Sequence, residues 1–124
     1  MKQEIHSEKA PAAIGPYSQG IRAAGLVITS GQLPIDPATG TLPAGVEAQT
    51  RQSLENCKSV LAAAGLSMDH VIKTTVFLSD MNYFSAMNDV YAAFFRGVCP
   101  ARSAVQVARL PKDALVEIEC IAAE

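Results

Sequence analysis

Residues 100–121 have the sequence PARSAVQVARLPKDALVEIECI, which predicts two β-strands separated by a turn. The first strand covers residues 100–107 and the second begins near Val116, because both segments are rich in β-branched residues that alternate with polar ones. Residues 110–113 contain a proline and interrupt this pattern. The end of the chain is therefore expected to contribute two neighbouring strands to a sheet.

A charged residue lies near the start of each strand, Arg102 in the first and Glu117 in the second. A guanidinium is planar and permanently charged, so Arg102 is able to bind a carboxylate through two parallel hydrogen bonds. A carboxylate such as Glu117 is able to hold or deprotonate a water molecule. Together they suggest a pocket for a small acid. Two plainer alternatives remain open: both side chains are solvated, or Arg102 pairs with Glu117 or with Glu119, which shares a face with Glu117.

Outward from these strands, the rest of the chain predicts an α+β protein with the order β-β-β-α-β-α-β-β. Period-two patterns predict the strands, and apolar residues spaced three and four apart predict the helices. The elements before residue 100 are a short edge strand in residues 1–8, a hairpin of residues 21–24 and 26–32, a helix over residues 46–64, a strand over residues 71–78, and a helix from a cap at Asp80 to Gly97. A length of 124 residues fits one domain, residues 1–124.

Three residues of the second predicted helix, Phe84, Asn88 and Tyr91, fall on one face because three or four positions separate them. Aromatic residues at such positions usually belong to the core, so Phe84 and Tyr91 are interpreted first as packing residues. A buried asparagine amide needs hydrogen-bond partners, which makes Asn88 a candidate for a functional role.

Two positions near the hairpin are candidates for the wall of a pocket. Residues 10–20 contain prolines and glycines that exclude a regular element, and Tyr17 lies in this loop. Gly31 follows a hairpin strand, where a glycine permits close approach of a ligand to the main chain. The alternative for Tyr17 is an ordinary packed surface loop.

The composition argues against several classes of protein. The net charge is −2 and the ten basic residues are scattered, so a nucleic-acid partner is not expected. The three cysteines lack Cys-x-x-Cys spacing and the two histidines are far apart in sequence, so no metal site is expected. No glycine-rich phosphate loop is present, and no organic cofactor is expected. The first residues are polar and no apolar run is long enough to span a membrane, which favours a cytoplasmic protein without a membrane partner.

Several motifs together resemble the Rid family, also called YjgF-like, whose best-known branch is the reactive intermediate deaminases, RidA. The C-terminal signature of that family is matched by residues 100–111 followed by residues 116–119. Its N-terminal and middle motifs are matched by IGPYSQG (residues 14–20), ITSGQ (28–32), KTTVFL (73–78) and NDVY (88–91). The resemblance covers nearly the whole chain, and the combination of motifs is specific.

The resemblance implies a mixed β-sheet with two helices packed on one face, similar to the small α+β type of chorismate mutase. It also implies a homotrimer in which three sheets form a central barrel, with a pocket at each of the three interfaces. The mean hydropathy of +0.18 and the charged fraction of 18% agree with apolar surface used between subunits.

The activity implied by the resemblance is hydrolysis of reactive enamines and imines, such as 2-aminoacrylate and 2-iminobutanoate, to 2-oxo acids and ammonia. These species leak from pyridoxal-phosphate enzymes that dehydrate serine or threonine, so a functional link to such dehydratases is expected. Imines hydrolyse readily, and neither a metal nor a cofactor is expected. Two alternatives from the same family are an endoribonuclease and a non-catalytic protein that binds small carboxylates.

The resemblance also assigns roles to three catalytic candidates. Arg102 would bind the substrate carboxylate, and Glu117 would orient and partly deprotonate the attacking water. Tyr17 resembles a lid residue that would exclude bulk water. All three positions match the family pattern.

Four further residues are expected to bind substrate. The backbone around Ser30 and Gly31 resembles the lining of the family's pocket, and Phe84 and Asn88 would form a wall that an adjoining subunit contributes. One position departs from the pattern, because several relatives carry cysteine where this chain has Ala104. This chain therefore lacks that thiol. The loop before residue 100 also looks shorter than in some relatives.

Overall fold

The computed structural model describes residues 1–124, and its elements follow the predicted order. Each predicted strand is present, as are both helices. Their bounds are β1 Gln3–Ile5, β2 Gly20–Ala23, β3 Leu26–Thr29, α1 Val46–Ala63, β4 Val71–Leu78, α2 Phe84–Ala92, β5 Ala101–Gln106 and β6 Val116–Ala123. Neither helix is both long and apolar enough to span a membrane.

The six strands form one mixed sheet in the order β1-β2-β3-β6-β4-β5. Every neighbouring pair is antiparallel except β4 and β5, which are parallel. A parallel pair needs a crossover connection, and α2 supplies it between β4 and β5. The two α-helices contact each other and pack on the same side of the sheet. The predicted α+β class, with a mixed sheet and two helices on one face, is confirmed.

Helix α1 packs on the centre of the sheet through an apolar stripe. Val46, Leu54, Cys57 and Leu61 are all buried, at the helical spacing that the sequence predicts. The helix ends in a glycine cap at Gly65, which has a φ of 79°. There the N–H of Leu66 donates to the carbonyl of Leu61 at 3.0 Å, which satisfies one of the last helical carbonyls.

The two faces of the sheet differ in character. Along β6 the side chains of Val116, Ile118, Cys120 and Ala122 are buried against the helices, whereas the alternate residues are only partly buried. We call the other side the helix-free face. It carries large apolar side chains, and Ile28 and Val105 remain 46% and 44% exposed there. An apolar face without a covering layer is the feature expected of a surface that other subunits cover.

The second helix is shorter than predicted. The side chain of Asp80 accepts a hydrogen bond from the N–H of Asn82 at 2.8 Å, but the segment that it caps is a 3₁₀ turn, Met81–Tyr83. Helix α2 starts only at Phe84 and ends at Ala92, five residues before Gly97. Its last turn tightens, because successive N–H groups bond three residues back instead of four. Met81 lies in this 3₁₀ turn, and its side chain is 41% exposed.

Candidate functional site

The register of the sheet separates Arg102 from Glu117. Arg102 in β5 lies opposite Thr74 of β4, whose side chain is buried beneath the helices. Glu117 in β6 lies opposite Phe77 of β4, three positions further along and therefore on the other side of the strand. Because directly paired residues point to the same face, Arg102 is on the helix side and Glu117 is on the helix-free face. The expectation that the two meet or form an ion pair is wrong for a single chain.

Arg102 is held by one face of α2. Its Nη1 donates to Oδ1 of Asn88 at 2.8 Å. Its Cζ lies 5.4 Å from the ring centroid of Phe84 and 4.7 Å from that of Tyr91, distances at which an aromatic face attracts a guanidinium. These four residues, Arg102, Asn88, Phe84 and Tyr91, are called the arginine cluster.

All members of the arginine cluster belong to one chain, which corrects a prediction. Phe84 and Asn88 were expected to reach Arg102 from an adjoining subunit. Helix α2 directly precedes β5 and crosses over the sheet beside it, so these side chains reach Arg102 within the same subunit. Their grouping on one helical face is confirmed.

The charge of Arg102 has no acidic partner. The three ion pairs of the chain are His6–Glu8, Arg22–Glu124 and Arg109–Asp113. Arg102 instead bonds a neutral amide, which orients the guanidinium without neutralising it. A guanidinium has five N–H donors, so most of those of Arg102 remain free for an anion.

Glu117 lies against the main chain of Gly31. A Cβ atom added at Gly31 would be only 2.6 Å from Oε2 of Glu117, so glycine is required for this approach. Neither the N–H nor the carbonyl of Gly31 has a hydrogen-bond partner in the chain, although the next N–H, of Gln32, donates to Ile118 at 2.7 Å. Strand β3 was predicted to reach residue 32 and ends at Thr29, so Gly31 lies in an irregular segment with its amide unpaired.

Ser30 joins this segment to the loop of residues 11–20. Its hydroxyl donates to the carbonyl of Ser18 at 2.6 Å, and its N–H donates to the carbonyl of Gln19 at 2.9 Å. Tyr17 belongs to this loop, and its side chain is 49% exposed. Together with Gly31, it lines a pocket of about 420 Å³. Glu117, Gly31, Ser30 and Tyr17 are called the glutamate cluster.

Burial changes the acidity of two side chains in these clusters. The pKa of Glu117 is raised, first because burial disfavours its charged form and second because the charge of Glu119 is near. A carboxylate with a raised pKa is a stronger base. The pKa of Tyr91 is raised as well, mainly by burial, so its hydroxyl stays neutral beneath Arg102.

The chain contains no group of three or more His, Cys, Asp or Glu side chains that would hold a metal ion. The two histidines make local contacts instead, since the ring of His6 bonds Glu8 and the ring of His70 bonds Ser67. Cys57 and Cys120 are buried in the core.

The sequence marks Tyr91 first as a packing residue and gives no sign of Thr74. Tyr91 shares its helix face with Phe84 and Asn88, and that spacing was the signal that linked it to the arginine cluster. No pattern in the sequence marks Thr74, because its importance comes from its position opposite Arg102 in the sheet.

Comparison with known proteins supports the resemblance seen in the motifs. The model of the family described as endoribonuclease L-PSP matches residues 7–124. The chain belongs to this family, the Rid family. Among its Rid relatives, the 2-iminobutanoate/2-iminopropanoate deaminase of Escherichia coli K12 is 54% identical over 125 residues, covering 98% of each chain. A RutC family protein of Pyrococcus horikoshii is 56% identical over 123 residues, again covering 98% of each.

Solved structures of Rid proteins share the fold over the full length. E. coli TdcF with bound serine superposes with a TM-score of 0.96 at 51% identity and covers 98% of both chains. RidA from the Antarctic bacterium Psychrobacter sp. PAMC 21119 has a TM-score of 0.95 at 46% identity, covering 98% of this chain and 99% of that one. The fold and the family predicted from the motifs are thus confirmed.

Proposed function

We propose that this protein hydrolyses small 2-imino and enamine acids, such as 2-iminobutanoate and 2-aminoacrylate, to 2-oxo acids and ammonia. The observation that carries the proposal is the guanidinium of Arg102, which is held by Asn88 and has no acidic partner. Such a group fits a planar carboxylate through two parallel hydrogen bonds. The names of its relatives agree, since the E. coli protein at 54% identity is a deaminase of this substrate class.

The glutamate cluster supplies the chemistry in this proposal. Glu117 takes a proton from water as the water oxygen bonds to the imine carbon and the C=N electron pair passes to nitrogen, and Glu117 then gives this proton to the nitrogen to form a carbinolamine. The proton of the carbinolamine hydroxyl next passes through Glu117 to the nitrogen as the C–N bond breaks, so that ammonia leaves and the C=O bond of the 2-oxo acid forms. An enamine first takes up a proton at its terminal carbon to become the imine. The unpaired N–H of Gly31 lies beside Glu117 and is available to donate to substrate or water. In this proposal the side chain of Tyr17 covers the entrance of the pocket that it lines with Gly31.

Assembly follows from the separation of the two clusters. Because Arg102 and Glu117 are on opposite faces of the sheet, a single chain does not bring its carboxylate-binding group, Arg102, close to its base, Glu117. We therefore place the reaction between subunits, where the arginine cluster of one chain meets the glutamate cluster of the next. The apolar helix-free face supports a homotrimer in which the sheets cover one another.

The substrate class implies an upstream partner. Short-lived imino and enamino acids arise when pyridoxal-phosphate enzymes dehydrate serine or threonine, so the protein would act beside such a dehydratase, in the cytoplasm. The crystal structure of E. coli TdcF contains bound serine, and this supports a pocket for a small amino-acid-like carboxylate in the present chain.

A coupled assay tests the proposal. A threonine dehydratase generates 2-iminobutanoate, and the decay of the imine is followed with and without this protein. Wild-type protein should accelerate the decay, whereas Arg102→Ala should not, and Arg102→Lys should recover little because an ammonium cannot bind both carboxylate oxygens at once. Arg109→Ala is the matched control, since Arg109 pairs with Asp113 at the surface. Equal rates for wild type and a folded Arg102→Ala variant would refute the assignment.

The description of the family model raises ribonuclease activity as a second candidate. The net charge of −2 and the scattered basic residues give it little support, because RNA binding depends on clustered cations. Salt-sensitive cleavage of RNA that persists in the Arg102→Ala variant would favour it. A protein that only binds small carboxylates would show affinity for 2-oxobutanoate and no acceleration of imine loss.

A further inference from the structure

Arg102 is linked to the buried interior through one aromatic residue. The ring of Tyr91 lies 4.7 Å from Cζ of Arg102, and the hydroxyl of Tyr91 lies 2.7 Å from Oγ1 of Thr74. Thr74 is fully buried and is the residue directly opposite Arg102 in the parallel β4–β5 pair. The contacts therefore form a closed loop of three residues. Arg102 of β5 is paired in the sheet with Thr74 of β4, the hydroxyl of Thr74 bonds the hydroxyl of Tyr91, and the ring of Tyr91 packs against the guanidinium of Arg102.

We propose that Tyr91 and Thr74 form a positioning pair that fixes the guanidinium of Arg102 in the geometry for carboxylate binding. Neither residue touches the substrate in this proposal. The inference rests on the proposed function only for the identity of the ligand that Arg102 binds.

Both hydroxyls of the pair lie in the interior, where an unpaired polar group is costly, so each fixes the rotamer of the other. A fixed Tyr91 ring in turn limits the movement of the Arg102 guanidinium on one side, while Asn88 fixes Nη1 of Arg102 by a hydrogen bond. An arginine with several rotatable bonds is thereby held in one orientation before the ligand arrives, which lowers the entropic cost of binding.

The absence of charge on the groups that contact Arg102 supports the positioning role of Tyr91 and Thr74. Burial raises the pKa of Tyr91, so its hydroxyl stays protonated and does not compete with the ligand as an anion. The guanidinium donates to a neutral amide and lies over two neutral aromatic rings. The cluster orients Arg102 while leaving its positive charge available.

Three variants test the pair. Tyr91→Phe keeps the ring and removes the hydroxyl, Thr74→Val removes the other hydroxyl, and the double variant removes both. Each single variant should weaken affinity for 2-oxobutanoate about three- to tenfold, the loss expected for one buried hydrogen bond. The double variant should be no worse than either single one, because both act on the same contact. Tyr83→Phe is the control, since Tyr83 packs against the core just before α2.

Kinetics separate positioning from chemistry. Arg102 grips the carboxylate in the ground state and the transition state alike, so the variants should raise KM and leave kcat nearly unchanged. A fall in kcat at constant KM would mean that Tyr91 acts on the reaction itself, which would overturn the proposal. In an Arg102→Lys background, Tyr91→Phe should have no further effect on affinity.

A measurement without substrate decides the inference independently of the proposed function. The ¹⁵N order parameter of the Arg102 Nε–H group, assigned by its absence in Arg102→Lys, should be high in wild type and lower in Tyr91→Phe and Thr74→Val. If wild type neither binds 2-oxobutanoate nor hydrolyses imines, the proposed function fails but the order parameter still tests the pair. Unchanged order in both folded single variants would overturn the positioning role.

Discussion

Arg102 and Glu117 have opposite kinds of environment, and this difference predicts different mutant phenotypes. Arg102 is partly buried with aromatic rings and a neutral amide around it, so its charge is oriented but not compensated. Glu117 is partly buried beside a second carboxylate and the amide of Gly31, so its charged form is disfavoured. The first environment favours binding of an anion, and the second favours uptake of a proton.

Glu117→Gln should therefore separate catalysis from binding. Glutamine keeps the size of the side chain and a hydrogen-bonding group but cannot accept the proton, so kcat should fall about 10²–10⁴-fold. Affinity for 2-oxobutanoate, which needs no base, should change much less. Titration and imine hydrolysis are measured on the same preparation, with Glu55→Gln on the exposed side of α1 as the control. A parallel loss of affinity and rate would instead make Glu117 a structural residue.

The raised pKa of Glu117 predicts the direction in which stability and activity change with pH. Since the pKa of Glu117 is higher in the folded protein, the native state binds more protons than the unfolded state between the two pKa values, and stability falls as pH rises through that interval. Activity should change the other way, rising as the base deprotonates. Denaturant unfolding, measured from the ordinary glutamate pKa of about 4 upward in pH, should show a shallower decline of stability with pH in Glu117→Gln than in wild type. An identical pH profile in that variant would argue against Glu117 as the titrating group.

At the scale of elements, local patterns were predictable and long-range pairing was not. The alternation in β6 and the apolar stripe of α1 are written in neighbouring residues, so their faces were predicted correctly. The early end of α2 depends on a 3₁₀ turn and a tightened last turn, for which the sequence carries little signal. The separation of Arg102 from Glu117 depends on which residues of β4 lie opposite them, and no single-strand pattern contains that register.

The segment after β3 yields a prediction about Gly31. In Gly31→Ala the new Cβ would lie 2.6 Å from Oε2 of Glu117, so the carboxylate must move away. The end of a glutamate side chain is flexible, so we expect a loss of stability of only about 1 kcal/mol but a large fall in kcat. Thermal unfolding and imine hydrolysis check the two parts.

A double variant provides the control for this prediction. Glu117→Ala removes the side chain that the new Cβ would meet, so the stability cost of Gly31→Ala should disappear in that background. A cost that persists would show that Gly31 is needed for its backbone instead of for the approach of Glu117.

At the scale of the whole molecule, the sheet separates the arginine cluster on one face from Glu117 on the other. The helix side holds the arginine cluster, and the helix-free face carries Glu117 together with exposed apolar residues such as Ile28 and Val105. A chain that meets a second copy through two different surfaces forms a heterologous interface, which closes into a ring when the rotation permits. A closed ring of three would create three sites of equal composition and cover the apolar face, and light scattering should then give three times 13.1 kDa.

Mixing two inactive variants tests whether the site is shared. In Arg102→Ala every site lacks its carboxylate-binding group, and in Glu117→Gln every site lacks its base, so each protein alone should be nearly inactive. After equal amounts are unfolded together and refolded, about one quarter of the sites should combine an intact Arg102 from one chain with an intact Glu117 from the next, and that fraction of wild-type activity should return. The double variant Arg102→Ala/Glu117→Gln, refolded with wild type, gives the matched reference, because there too about one quarter of the sites are intact. If the mixture of single variants stays inactive while this reference recovers activity, both residues act within one subunit, and the register that separates them would have to change in solution.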